Sequence, residues 1–108
     1  MLILLDHSAP GPLRRALTGH TVVEAFERGW ERLANGDLLN AAEAAGFDIL
    51  ITADKNMRYQ QNLAGRKISL IVLGNAQWPK LKHHTSLVLT AVSAAIPGGY
   101  TEVEIPLG

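Results

Sequence analysis

Leu2-Ile3-Leu4-Leu5-Asp6 and, much later, Ile49-Leu50-Ile51-Thr52-Ala53-Asp54 are two short apolar runs that each stop on an aspartate. Continuous runs of this length fit strands buried on both faces, as in a parallel sheet covered by helices. Open α/β sheets bind ligands outside the carboxyl ends of their strands, so acids at two strand ends can meet there although distant in sequence. Asp37 opens a helical stretch between the runs and supplies a third acid. Carboxylates that converge without a cation repel one another, and a bound metal ion relieves that repulsion.

The rest of the chain continues the alternation. Asp6-His7-Ser8-Ala9-Pro10-Gly11-Pro12 breaks the first run, and the fixed φ of Pro12 suits the start of a helix that reaches Gly19. His20 to Ala25 reads as a second strand, while residues 26–34 fit either an irregular loop or a short helix. Asn35 is placed to cap a helix from Gly36 to Ala45, with Gly46 ending it. Phe47 to Thr52 is a third strand, Lys55 to about Ala64 a helix closed by Gly65, and Ile68 to Leu73 a fourth strand. A single helix is predicted from Trp78 to Ile96, stopped by Pro97-Gly98-Gly99, and Tyr100 to Ile105 alternates like an edge strand. The expectation is one α/β domain spanning residues 1–108, three-layer α/β/α, with a mainly parallel sheet and right-handed crossovers.

At 108 residues and 47% hydrophobic, the chain suits one globular unit. Its 10 Lys and Arg cancel its 10 Asp and Glu, which excludes the strongly basic footprint of a protein that coats nucleic acid but permits a local basic groove. The absence of cysteine removes disulfides, thiolate zinc sites and thiol nucleophiles, and agrees with a reducing cytoplasm. A metal site must therefore use oxygen or imidazole ligands. The first apolar run lacks a basic leader, and no later run reaches about 18 apolar residues. A soluble, cytoplasmic protein with no membrane association is expected.

Beyond the acids themselves, Leu4-Leu5-Asp6, Asn35-Gly36-Asp37-Leu38-Leu39, and Ile51-Thr52-Ala53-Asp54-Lys55-Asn56-Met57 followed by Gln60-Gln61-Asn62-Leu63 stand in a fixed order. In these segments the chain resembles small bacterial PIN-like proteins over roughly residues 1 to 75. The resemblance implies a PIN-like fold and a Mg²⁺- or Mn²⁺-dependent endoribonuclease, a hydrolase of RNA phosphodiester bonds, often the toxin of a toxin and antitoxin pair. It further implies an antitoxin protein as partner and a homodimer. Asp6, Asp37 and Asp54 match the family's catalytic, metal-binding acids. Where many relatives carry further acids, this chain has His7 and Asn56, which argues against a second tightly held ion. Its reduced acidic set also supports the alternative of a PIN-like RNA-binding or partner-binding module without efficient catalysis.

Each candidate has a plainer use beside the functional one. Asp37 favours a helix N-terminus by its charge, worth about 0.3 to 1 kcal/mol, and Asp54 can cap the helix that follows it. Ser8 and Asn56 are candidates to support metal or substrate, and Lys55 and Arg58 to contact RNA phosphate; the plainer roles are turn chemistry and solvation of a helix. His83 and His84 are adjacent, so on a helix they diverge by about 100° and make a poor ligand pair; with Lys80 and Lys82 they form a basic patch. A receiver domain fits less well, because its site needs paired acids after the first strand and a lysine after the last. No GxxxxGK[ST] loop is present.

Overall fold

A computed structural model of the chain describes residues 1–57 and 63–106. Along it run β1 (Leu2–Leu5), α1 (Leu13–Ala16), β2 (Thr21–Glu24), a one-turn 3-10 helix (Ala25–Arg28), α2 (Asn35–Ala44), β3 (Ile49–Thr52), β4 (Ser69–Leu73), α3 (Trp78–Leu81), α4 (Thr85–Ala94) and β5 (Tyr100–Val103). The strands make one sheet in the order β2-β1-β3-β4-β5, with every neighbouring pair parallel.

Register explains why the aliphatic runs work as strands. Leu4 pairs with Leu50 and Leu50 with Leu70, so these side chains share a face, while Ile3, Ile49, Ile51 and Ile71 share the other. Both faces are covered. Leu13 and Leu17 at α1, with Leu81, Val88 and Val92 from α3 and α4, pack on the isoleucine face. Leu38, Leu39 and Ala42 of α2, together with Phe47 and Met57, pack on the leucine face. The three-layer α/β/α expectation holds. Complete burial of such side chains contributes about 1.5 to 3 kcal/mol each. No helix among the described residues is long and apolar enough to cross a membrane.

The crossovers do not all share one hand. From β1 to β2 the chain passes α1 over the isoleucine face; from β2 to β3, in the opposite direction across the sheet, it passes α2 over the leucine face. The step from β3 to β4 also keeps Met57 and Leu63 on the leucine face. These steps agree in hand. The step from β4 to β5 continues in the same direction but carries α3 and α4 over the isoleucine face, so its hand is opposite to theirs and the crossovers are not all right-handed as expected. Short α1 and the residue after it supply Leu13, Ala16 and Leu17 to that face, and α3 and α4 add Leu81, Val88, Ala91 and Val92.

Other departures have local causes. The helix begun after Pro12 lasts only from Leu13 to Ala16, because Leu17 turns out of the helical region (ψ 60°) before Gly19 takes a positive φ. The expected helix from Trp78 to Ile96 breaks at Lys82-His83-His84, where His84 adopts φ −129° and ψ 23°. Between the anchors Leu81 and Val88 no buried side chain holds this polar stretch to the core. Residues 26–34 hold the 3-10 turn, and Trp30 meets Phe47 edge-on at 6.0 Å with Arg28 over both rings. The expected helix from Lys55 lies partly outside the described residues.

Glu43 ties α2 to the entry of β4. Its carboxylate accepts the backbone N–H of Lys67 at 2.5 Å and of Ile68 at 3.3 Å, and Arg66 Nη1 lies 3.4 Å away. The Lys67 N–H, followed by those of Ile68 and the charge of Arg66, holds this carboxyl below its ordinary value of 4.5 against the opposing effect of desolvation. A lowered folded-state pKa stabilises the fold above the unfolded value and loses that contribution as pH falls through the folded one. Urea denaturation should therefore show Glu43→Gln less stable than the parent at pH 7, with the difference closing as pH drops below 4.5. A gap independent of pH would refute this coupling.

Candidate functional site

The strand order reverses between β1 and β3, and this is the switch point outside which open α/β sheets bind ligands. Leu5 pairs with Ile51, so the residues that follow, Asp6 and Thr52, emerge side by side at that point. The backbone N–H of Asp6 extends the ladder by donating to the Ile51 carbonyl at 3.1 Å.

Asp6 is 4% exposed and its carboxylate is surrounded by donors. Oδ1 accepts the Ser8 N–H at 3.0 Å, the Ser8 hydroxyl at 2.6 Å and the Ala9 N–H at 3.2 Å. Oδ2 accepts the hydroxyl of fully buried Thr52. Both hydroxyls also accept: Ser8 Oγ takes the Ala53 N–H at 2.8 Å and Thr52 Oγ1 takes the Asp54 N–H at 3.0 Å. A carboxylate is acceptor-only, so the two hydroxyl protons point at Asp6 and their oxygens, 3.1 Å apart, face the β3 end. The network staples the loop after β1 to the loop after β3.

Asp54 is partly buried and more lightly engaged. Asn35 Nδ2 donates to its Oδ2 and the Asn56 N–H donates to its Oδ1, both at 2.9 Å. The Asn56 contact is an Asx turn that fixes the carboxylate over its own backbone. Thr52 Oγ1 therefore links the Asp6 carboxylate to the main chain of Asp54, whose two carboxylate oxygens each accept one bond from the described residues.

Asp37 is not part of this pair. It sits exposed on the first turn of α2, and among the described residues no three His, Cys, Asp or Glu side chains form a group able to hold a metal ion. Lys55 and Asn56 are exposed beside Asp54, while Arg58, Gln60, Gln61 and Asn62 lie outside the described residues. Trp30 and Trp78 pack on the core. Lys80, Lys82 and His83 are exposed at the break between α3 and α4, as a solvated patch would be.

Two participants escaped the sequence reading. Asn35, expected to cap α2, instead forms its first residue; Ala34 takes the cap position without a side-chain bond, and the Asn35 amide reaches Asp54. Thr52 reads as an ordinary strand residue. The available signal was a hydroxyl at the end of a buried strand, which needs a partner inside the protein; only register identifies that partner as Asp6. Comparison with family models, curated proteins and solved structures yields no match to this chain.

Proposed function

We propose that this chain is a PIN-like, Mg²⁺- or Mn²⁺-dependent endoribonuclease acting in the cytoplasm, with Asp6 and Asp54 at its centre. The observation that supports it is the Thr52 hydroxyl bridge, which joins the Asp6 carboxylate to the backbone N–H of Asp54 at the sheet's switch point. The donor chemistry fits one hard cation: Mg²⁺ accepts one or two carboxylates and completes its shell with water and substrate phosphate. Asp54 and Asp6 would hold the ion, with Asp37 as the third acid matched by the family resemblance. When bound, it supplies polarisation of a phosphoryl oxygen and a water of lowered pKa.

The chain's own residues do the positioning. Asn35 and the Asn56 N–H orient Asp54, whose remaining acceptor capacity among the described residues would align a water. Ser8 and Thr52 keep Asp6 from rotating. Lys55, exposed next to Asp54, is suited to a phosphate oxygen of the RNA.

Cleavage of single-stranded RNA in Mn²⁺, abolished by chelation, is the test. No cleavage across metals and RNA panels, together with no calorimetric heat from Mn²⁺, would overturn the reading. That outcome would select a PIN-like RNA-binding or partner-binding module, which one observation favours: both oxygens of Asp6 already receive protein donors. The toxin reading requires an antitoxin reading frame beside the gene and growth arrest on expression; size-exclusion chromatography tests the homodimer.

A further inference from the structure

Beside the strand-end pair, between the ends of β1 and β2, lies a cleft of about 270 Å³ lined by Asp6, His7, Gly11, Glu24 and Phe26. This is just below the roughly 300 to 1,000 Å³ of ordinary ligand pockets, a size for one ring system rather than an extended ligand. Phe26 is 61% exposed, so one wall is an aromatic face open to a stacking partner. Glu24, at the end of β2, points its carboxylate across the loop after β1: a Cβ on Gly11 would meet its Oε1 at 2.9 Å. The carboxylate lies where a side chain at Gly11 would push it aside. Arg14 Nη1 stands 3.8 Å from Glu24 Oε2 and pairs more closely with Glu27.

These groups restrict the occupant. Two carboxylates in the lining repel phosphate, and an acceptor-only carboxylate calls for a ligand that donates. An aromatic wall with a polar edge is the arrangement by which single-stranded RNA bases are stacked and read. Among the four bases, guanine alone presents two adjacent donors, N1–H and N2–H₂, matching both oxygens of one carboxylate. Adenine, cytosine and uracil each place an acceptor next to the donor on that edge.

We propose that the cleft between β1 and β2 is a nucleobase subsite selective for guanine, with Phe26 stacking on the ring and Glu24 accepting from its Watson–Crick edge. It rests on the endoribonuclease reading and gives it a sequence preference: because Asp6 borders both cleft and strand-end pair, a guanine bound here lies beside the phosphodiester to be cut.

The test is binding, read without cleavage. Amide shifts of His7, Glu24 and Phe26 are followed by NMR during titration with the 5′-monophosphates of guanosine, adenosine, cytidine and uridine. Guanosine monophosphate should bind about tenfold more tightly than the others, the discrimination expected of a bidentate base contact. Phe26→Ala should weaken all four roughly tenfold and keep their order. Glu24→Gln, which retains one acceptor and introduces a donor, should abolish the preference. Glu27→Gln, which also loosens Arg14 but lies outside the cleft lining, should leave every affinity within about twofold. Equal binding of the four nucleotides, or a preference that survives Glu24→Gln, would overturn the proposal. So would tighter binding of arginine methyl ester than of guanosine monophosphate, since it would assign the cleft to a cationic side chain of a protein partner. Guanine-selective binding by a protein that cleaves no RNA would sustain the subsite and refute the nuclease; cleavage without base-selective binding would do the reverse.

Discussion

Replacing Asp6 by alanine is expected to destabilise the fold by about 3 kcal/mol at pH 7, because it strands a set of buried donors at once. The Ser8 and Ala9 N–H groups and the Ser8 and Thr52 hydroxyls all converge on this carboxylate, which is 4% exposed. Hydrogen bonds to a charged acceptor are worth about 1.5 to 3 kcal/mol each, but their losses do not add, since water enters the space left by the side chain. For a domain of this size the loss corresponds to a fall in Tm of roughly 10 to 20 °C. Asp6→Asn should cost less, about 1 kcal/mol, because the amide oxygen still accepts from Ser8 and Ala9 and the Thr52 hydroxyl can reverse to accept from the amide nitrogen. Thermal and urea denaturation check both. An alanine variant as stable as the parent would mean that the network contributes nothing to folding.

Asp54→Asn is expected to have the opposite profile, with RNA cleavage falling at least about a hundredfold while stability stays within about 1 kcal/mol of the parent. Asparagine keeps an oxygen for the Asn56 N–H, so the loss is confined to the single bond from Asn35. What disappears is the negative charge and the acceptor capacity of one carboxylate oxygen. Initial rates in Mn²⁺ beside urea midpoints separate the two effects. Retained cleavage by a folded Asp54→Asn protein would remove Asp54 from the chemistry.

The contrast between these two acids explains what the chain reveals before it is folded. Strands of a sheet covered on both faces must be apolar throughout, so Leu2–Leu5, Ile49–Thr52 and Ser69–Leu73 announce themselves, and acids follow two of them at the carboxyl end of the sheet. Register and strand order are not local properties. Thr52 becomes a partner of Asp6 only because β3 lies beside β1, and no pattern in either segment encodes that adjacency. Asn35 has the right chemistry for a helix cap, but tertiary contact with Asp54 outcompeted capping, shifting the start of α2 by one residue. The break at Lys82-His83-His84 was likewise hidden, since the residues on either side keep helical spacing and only the absence of a buried anchor between Leu81 and Val88 distinguishes it. Asp37 shows the converse limit: a helix-opening acid is equally readable as a ligand or as a dipole partner, and its exposed place on α2 fits the second use.

Anomalous scattering from a crystal soaked in Mn²⁺ decides whether Asp6 and Asp54 form a metal centre. One peak per chain is expected at the carboxyl ends of β1 and β3, with Asp54 as a direct ligand and Asp6 facing the ion. No peak there at saturating Mn²⁺, or a peak elsewhere that leaves Asp6 and Asp54 bonded only to their present donors, would contradict it.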